Sequence, residues 1–341
     1  MDHKNLETTA QALVAPGKGI LAADESSGTI KKRFDKIGVE STEANRRAYR
    51  DLLFTADGIG DSISGVILFD ETIRQSSLEG DVAFPKVLES QGVIPGIKVD
   101  TGAKPLALAA EGETITEGLD GLRDRLAEYR GLGARFAKWR ATYTITDELP
   151  SPYAIDVNAD ALARYAALCQ EAGIVPIVEP EVMMEGDHTI ERSRVVTGNV
   201  LQALYDALHE QRLHLPGTLL KPNMVLSGYD ARVQASVDEV ADQTVACFRE
   251  HVPAAVPGIV FLSGGQSDED ATAHLNAMNQ RGPHPWQLSF SYGRALQAAA
   301  QQAWRGDDAN RAAAQQAFLQ RARLNSLARS GKYSSDMERA A

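Results

Sequence analysis

Short apolar runs that end on charged residues recur along this chain, and stretches with helical spacing separate them. Gly19–Ser26 passes from an apolar stretch into Asp24 and Glu25, and Gly65–Glu71 passes in the same way into Asp70 and Glu71. Ile94–Asp100 carries Lys98, Ala134–Arg140 carries Lys138 and Arg140, and Ile174–Glu181 carries Glu179 and Glu181. Gly217–Val225 reads as a short strand bringing Lys221 to the edge of a core. Pro222 behind it cannot donate to a sheet ladder and favours an extended geometry at Lys221. Gly258–Gly265 and Gln287–Gly293 complete the set, the first passing through Ser263 and the second running into Arg294.

The intervening stretches predict helices. Ser41 or Thr42 can cap one with Glu43 in its first turn and Ala44, Ala48, Leu52 and Ala56 along one face. Leu119, Leu122 and Leu126 mark another, stopped by Gly131 and Gly133. Asn158 reads as the cap of a helix through Leu168, and Val200, Leu204 and Leu208 mark a long one within 188–212. Val237, Val245 and Phe248 mark the next, and Ser267 with Asp270 has the pattern of a capping box. An alanine-rich helix follows Arg294, and a last one covers 307–330. Residues 1–18 predict an opening helix that caps something, and Gly102 to Gly118 a polar loop. Strand and helix alternating about eight times, with no second composition regime, predict an α/β fold with one domain over residues 1–333, a (β/α)₈ (TIM) barrel with an extra N-terminal helix and C-terminal helices. Residues 334–341 predict a short, polar, mobile tail. A doubly wound open sheet is the alternative, since counting strands does not establish closure.

Composition narrows the function. The chain has 341 residues and a net charge of −11, which argues against nucleic acid and anionic membrane as partners. A phosphorylated substrate still fits wherever basic residues converge. Cys169 and Cys247 lie among apolar neighbours in helical stretches and read as buried free thiols. No signal-like opening and no run of about 18 apolar residues occurs, so a cytoplasmic location is expected. The motifs HExxH, CxxC, the P-loop and GxGxxG after a first strand are absent. His188, His214, His251 and the other histidines read as surface or capping residues, which disfavours a His-rich metal site; carboxylate-only magnesium binding stays open.

In a barrel of this kind the chemistry sits at the C-terminal ends of the strands. Those ends supply Asp24, Glu25, Asp70, Glu71, Lys98, Lys138, Arg140, Glu179, Glu181, Lys221, Ser263 and Arg294, of which alternation sends about half inward. Lys98, Lys138 and Lys221 in one pocket would repel one another, and repulsion with desolvation lowers the pKa of the least solvated amine and makes it a nucleophile. Glu179 or Asp24 can then move protons. The opposing reading pairs each lysine with a carboxylate in a structural bridge. Leu262–Ser267 follows a strand and opens a helix, and its glycines suit an anion nest. Ser291–Arg294 repeats that arrangement one strand later with a guanidinium added, at the two positions where such barrels often hold phosphate.

These stretches resemble class I fructose-bisphosphate aldolase. The matching motifs are Gly-Ile-Leu-Ala-Ala-Asp-Glu-Ser at 19–26, Gly-Val-Ile-Leu-Phe at 65–69, Pro-Gly-Ile-Lys-Val-Asp at 95–100 and Ala-Lys-Trp-Arg at 137–140. Pro-Ile-Val-Glu-Pro-Glu at 176–181, Leu-Leu-Lys-Pro-Asn-Met-Val at 219–225, Phe-Leu-Ser-Gly-Gly-Gln-Ser at 261–267 and Ser-Phe-Ser-Tyr-Gly-Arg-Ala-Leu at 289–296 continue the series. The resemblance implies reversible cleavage of fructose 1,6-bisphosphate to glycerone phosphate and glyceraldehyde 3-phosphate, with a lysine Schiff base and neither metal nor other cofactor. By that pattern Lys221 forms the Schiff base, Glu179 shuttles protons, Asp24 deprotonates the carbon 4 hydroxyl and Lys138 supports the charge. Ser263, Gly264, Gly265, Ser291, Gly293 and Arg294 correspond to the carbon 1 phosphate site; Ser26, Arg33 and Lys98 correspond to the carbon 6 phosphate region. Arg140, at the end of its strand, is expected to bind substrate as well. The resemblance further implies a cytoplasmic homo-oligomer, commonly a tetramer. Many members end in a tyrosine on a flexible tail, whereas Tyr333 is the last tyrosine here, and Thr29 stands where vertebrate members carry serine.

Two other classes remain as competitors. One is a metal-dependent barrel lyase or phosphosugar isomerase built on Glu179, Glu181 and Asp70. The other is a non-catalytic scaffold barrel, which needs an absent or degraded set of lysines and phosphate ligands, whereas every matching position is intact here.

Overall fold

A computed structural model describes residues 2–339. Eight parallel strands close into a barrel: β1 (Gly19–Ala23), β2 (Ile63–Leu68), β3 (Ile94–Lys98), β4 (Phe136–Tyr143), β5 (Val175–Val182), β6 (Leu219–Leu220), β7 (Gly258–Phe261) and β8 (Gln287–Tyr292). Each strand pairs with its neighbours in sequence, and β1 pairs with β8 to complete the circle. The open-sheet alternative is thereby excluded. Because both faces of every strand are covered, the strands read as continuous apolar runs rather than as an alternating pattern.

The period-two pleat divides each strand between two cores. Ile20, Ala22, Ile67, Phe136, Val175, Ile177, Leu219 and Val260 fill the barrel interior, while a larger layer that includes Leu21, Leu68, Trp139, Val178 and Phe261 packs outward against the helices. The opening helix His3–Leu13 buries Leu6, Ala10 and Leu13 against the interior set. It closes the N-terminal end of the barrel, which is what the expected capping helix covers. Arg329, on the last long helix Arg311–Arg329, is also buried there and donates to the Val14 and Lys18 carbonyls and to Ser289 Oγ at 3.1 Å. With one end plugged, substrate can enter only from the other.

Several local expectations need correction. The helix Pro152–Glu171 begins well before Asn158 and is capped by Ser151, whose side chain accepts from Ala154 N. Asn158 instead lies within it, buried, donating to the Thr114 and Ala154 carbonyls. Its partner Thr114 belongs to an antiparallel hairpin, Gly102–Pro105 with Thr114–Glu117, inside the stretch expected to be a loop. The helix Ser27–Asp35 and the short helix Phe84–Ser90 add to the expected set. Thr42 caps Glu43–Phe54 and Ser267 caps Asp268–Gln280, both as expected. Cys169 and Cys247 are buried free thiols. His188 and His274 are buried rather than on the surface, His274 being 7% exposed. The tail residues Ser335–Glu338 form a 3₁₀ turn in which Glu338 accepts from Arg321 and from the Tyr333 hydroxyl; the last two residues of the expected tail lie outside the described residues. No described helix is long and apolar enough to cross a membrane.

The interior is filled by matching one large side chain to absent ones. A Cβ placed on Gly96 of β3 would lie 2.3–2.5 Å from ring atoms of Phe136 on β4. Gly96→Ala is therefore expected to lower stability by about 1–3 kcal/mol through overpacking, read as a fall in the urea midpoint with unchanged slope. An unchanged midpoint would show that the barrel interior has slack there.

Candidate active site

β1, β3, β4, β5 and β6 each bring an inward-facing charged residue to the open end of the barrel. Alternation explains the selection: Ile20, Ala22 and Asp24 share one face of the first strand, Phe136, Lys138 and Arg140 share one face of β4, and Ile177, Glu179 and Glu181 share one face of β5. Lys98 on β3 lies opposite Lys138 on β4 in register, and Arg140 lies opposite Glu179. These residues line a cavity of about 510 Å³ at the C-terminal mouth, a usual size for a small-molecule site.

The lysines converge, but each meets a carboxylate. Lys98 Nζ lies 2.6 Å from Asp100 Oδ1. Lys138 Nζ lies 2.7 Å from Asp24 Oδ2 and 3.3 Å from Glu179 Oε2. Lys221 Nζ lies 3.3 Å from Glu179 Oε1. Arg140 pairs with Glu181. The arrangement is an alternation of charges, so both readings of the lysine set capture part of it: a shared pocket, and carboxylate partners for each amine. Lys138, Glu179 and Lys221 are each 4% exposed, so these contacts act with little solvent screening.

Burial pushes the Asp24 carboxyl up, but Lys138, Lys221 and Lys98 outweigh it and hold Asp24 well below the usual carboxylate range. Burial pushes the Lys138 ammonium down, and Asp24, Glu179 and Asp100 outweigh that too, raising its pKa. Asp24 is thus an anion and Lys138 a cation at any ordinary pH. Among the described residues, Ser291 Oγ is a buried polar atom of this cavity without a hydrogen-bond partner, and Glu179 Oε2 has only its ion pair with Lys138. A buried atom left without a partner is costly unless a ligand or water serves it, and the Glu179 carboxylate lies between two amines, Oε1 toward Lys221 and Oε2 toward Lys138.

Around this centre lie two sets of cationic, hydroxyl and glycine residues. Ser26, Thr29, Lys32, Arg33 and Lys36 line one side from the helix Ser27–Asp35 and its cap. Ser263, Gly264, Ser291, Gly293 and Arg294 line the other, from the turns after β7 and β8. Arg140 and all the site residues named by the resemblance except Gly265 line the cavity; Gly265 sits within the turn, its N–H donating to Ser263 O at 2.8 Å. Glu25 reaches the rim but is occupied by Arg33, Arg50 and Gln297, the Arg50 contact being 2.5 Å. Asp70 and Glu71 do not contribute, being engaged by Arg74 with Tyr129 and by Arg46 respectively.

Reasoning from sequence passed over Asp100, Lys32 and Lys36. Asp100 follows Lys98 by two residues, which is the inward period of a strand. Thr29, Lys32, Arg33 and Lys36 are spaced by three and four, one face of a helix. Both signals are present in the chain.

The pH dependence of stability follows from the sign of the Asp24 shift. Its folded pKa lies below the unfolded value of about 3.9, so the unfolded chain takes up the proton first and stability falls as pH falls. Asp24→Asn is expected to show a shallower loss of stability than the unmodified chain between pH 5 and 3, measured by urea denaturation. Equal slopes would show that Asp24 carries no such linkage.

Comparison with known proteins converges on the same reading. The class I fructose-bisphosphate aldolase family matches residues 5–341. A probable class 1 fructose-bisphosphate aldolase of Xylella fastidiosa is 59% identical over 334 residues, covering 98% of this chain and 99% of the relative. Fructose-bisphosphate aldolase C of Rattus norvegicus is 53% identical over 332 residues, covering 97% and 91%. Among solved structures, Plasmodium falciparum fructose-bisphosphate aldolase, in complex with TRAP and a small-molecule inhibitor, superposes with a TM-score of 0.96 at 51% identity, covering 97% and 96%. With the lysine–carboxylate cavity at the mouth of the barrel, these likenesses establish that the chain belongs to the class I fructose-bisphosphate aldolase family.

Proposed function

We propose that Lys221 is the nucleophile of this aldolase and that Glu179, Asp24 and Lys138 divide the proton and charge transfers among them. The observation that carries the assignment is the approach of Lys221 Nζ to Glu179 Oε1 at 3.3 Å, with Glu179 Oε2 turned to Lys138. Glu179 takes a proton from the Lys221 ammonium, and the neutral amine adds to the carbon 2 carbonyl of fructose 1,6-bisphosphate. Glu179 then returns a proton to the carbinolamine hydroxyl, water leaves and a protonated imine remains. Asp24 accepts the proton of the carbon 4 hydroxyl as the carbon 3–carbon 4 bond breaks, and the bonding pair passes into the imine to give an enamine. Glyceraldehyde 3-phosphate departs. Protonation of the enamine at carbon 3 and hydrolysis of the imine release glycerone phosphate and restore the amine.

Lys138 serves this sequence as a fixed counter-charge. It touches both Asp24 and Glu179, so either can gain or lose a proton while its partner keeps a neighbouring cation. The Ser263–Gly264 and Ser291–Arg294 turns fit the carbon 1 phosphate, and Ser26, Arg33 and Lys98 fit the carbon 6 phosphate, one at each side of the amine. An iminium supplies the electron sink that a metal would otherwise provide. The isomerase and metal-lyase alternative loses one of its three ligands, because Asp70 stands outside the cavity, bonded to Arg74 and Tyr129.

Three measurements test the reading together. Lys221→Met is expected to abolish cleavage, Glu179→Gln to lower kcat by about 10²–10⁴-fold, and EDTA to leave the rate unchanged. Undiminished turnover in Lys221→Met, or loss of activity to EDTA with recovery on adding a divalent ion, overturns the assignment.

A further inference from the structure

The turn that follows β7 is held from behind by a buried pair that plays no part in the chemistry above. Ser263 O accepts from three N–H donors: Gly265 N at 2.8 Å, Gln266 N at 3.1 Å and Gln266 Nε2 at 3.1 Å. The side chain of Gln266 is buried, and its Oε1 lies 2.6 Å from His274 Nδ1 on the helix Asp268–Gln280. Gln266 Nε2 also approaches Met224 Sδ at 3.6 Å, in the segment just beyond Lys221. A chain of contacts therefore runs from His274 through the Gln266 amide to the Ser263 carbonyl.

The hydrogen-bond roles along this chain are fixed by its end. Gln266 Nε2 donates to a carbonyl, so Oε1 is the acceptor and His274 Nδ1 must carry the proton. Burial pushes the His274 imidazole down to about 4 against the opposing pull of Asp270, so the ring is neutral with its proton on Nδ1. The turn itself needs this support. Gly264 has a φ of +64°, a left-handed geometry, and a Cβ there would lie 2.2 Å from Met184 Cε. With the Ser263 carbonyl occupied by the amides of Gly265 and Gln266, Ser263 and Gly264 are the residues of the turn that line the cavity.

We propose that His274 is a positioning residue for substrate phosphate, fixing the Ser263–Gly265 turn through Gln266 without touching the ligand. The proposal rests on the reading of that turn as a phosphate site. Without the imidazole N–H, Gln266 Oε1 becomes a buried acceptor lacking a donor, the amide swings to find one, and its hold on Ser263 O is lost. The reacting groups at Lys221, Glu179 and Asp24 are unaffected, so the loss falls on binding and not on turnover.

The test compares His274→Leu with His274→Asn, whose amide nitrogen stands near the position of imidazole Nδ1 and can donate to Gln266. His274→Leu is expected to raise both KM for fructose 1,6-bisphosphate and the inhibition constant of inorganic phosphate by about tenfold, with kcat changed less than about twofold. His274→Asn is expected to restore both constants. Gln266→Leu removes the same link from its other end and is expected to reproduce the shift, which keeps the test available should His274→Leu not fold. Arg294→Gln serves as the control on the underlying site. If it leaves phosphate inhibition unchanged, the phosphate reading itself fails. If it weakens phosphate while the foldable His274→Leu or Gln266→Leu variant does not, or if His274→Asn is as defective as His274→Leu, the positioning role alone is overturned.

Discussion

The structure turns on one cation lodged among carboxylates at the mouth of a closed barrel. Lys138 is 4% exposed and faces Asp24, Glu179 and, at 4.0 Å, Asp100. Removing one member of such a cluster leaves a buried charge without a partner, which costs several kcal/mol. That makes the cluster a poor device for stability alone and a good one for holding charged groups at fixed distances from one another. Asp24 is kept as an anion and Glu179 lies beside the amine of Lys221, with Lys138 against both carboxylates.

The barrel makes that cluster possible. Closure leaves no edge, and the period of two sends Asp24, Lys98, Lys138, Glu179 and Lys221 to one level above an apolar plug. The plug extends from Ile67, Ile177 and Val260 down to Leu6, Ala10 and Leu13 of the opening helix. Solvent therefore reaches the charged layer from one side only. Groups from the helix Ser27–Asp35 and from the turns after β7 and β8 line the same cavity, an arrangement that suits the proposed sugar with a phosphate at each end.

Much of this was legible along the chain because strands announce themselves by continuous apolar runs, and their ends by abrupt charge. Lys98, Lys138, Glu179 and Lys221 were found in that way, as was the barrel itself. The failures are equally physical. Asn158 has the chemistry of a cap, but its amide is used across space on the hairpin at Thr114, and no local pattern marks that contact. The helix Ser27–Asp35 buries only Ile30 and Phe34, so its charged face hid the element that carries Arg33 and Lys36. His274 resembles a surface histidine in sequence, since its partner Gln266 lies eight residues earlier and the pairing exists only once the turn is folded. Asp70 shows the opposite error: it ends a strand like the others yet binds Arg74 and Tyr129 away from the cavity.

The central claim is that a single amine forms a covalent bond with the ketose. Borohydride reduction in the presence of glycerone phosphate, followed by peptide mapping by mass spectrometry, addresses it directly. The account predicts one adduct per chain, on Lys221, with none on Lys98 or Lys138. A reduced adduct on either of those two lysines, or none on any lysine, would contradict it.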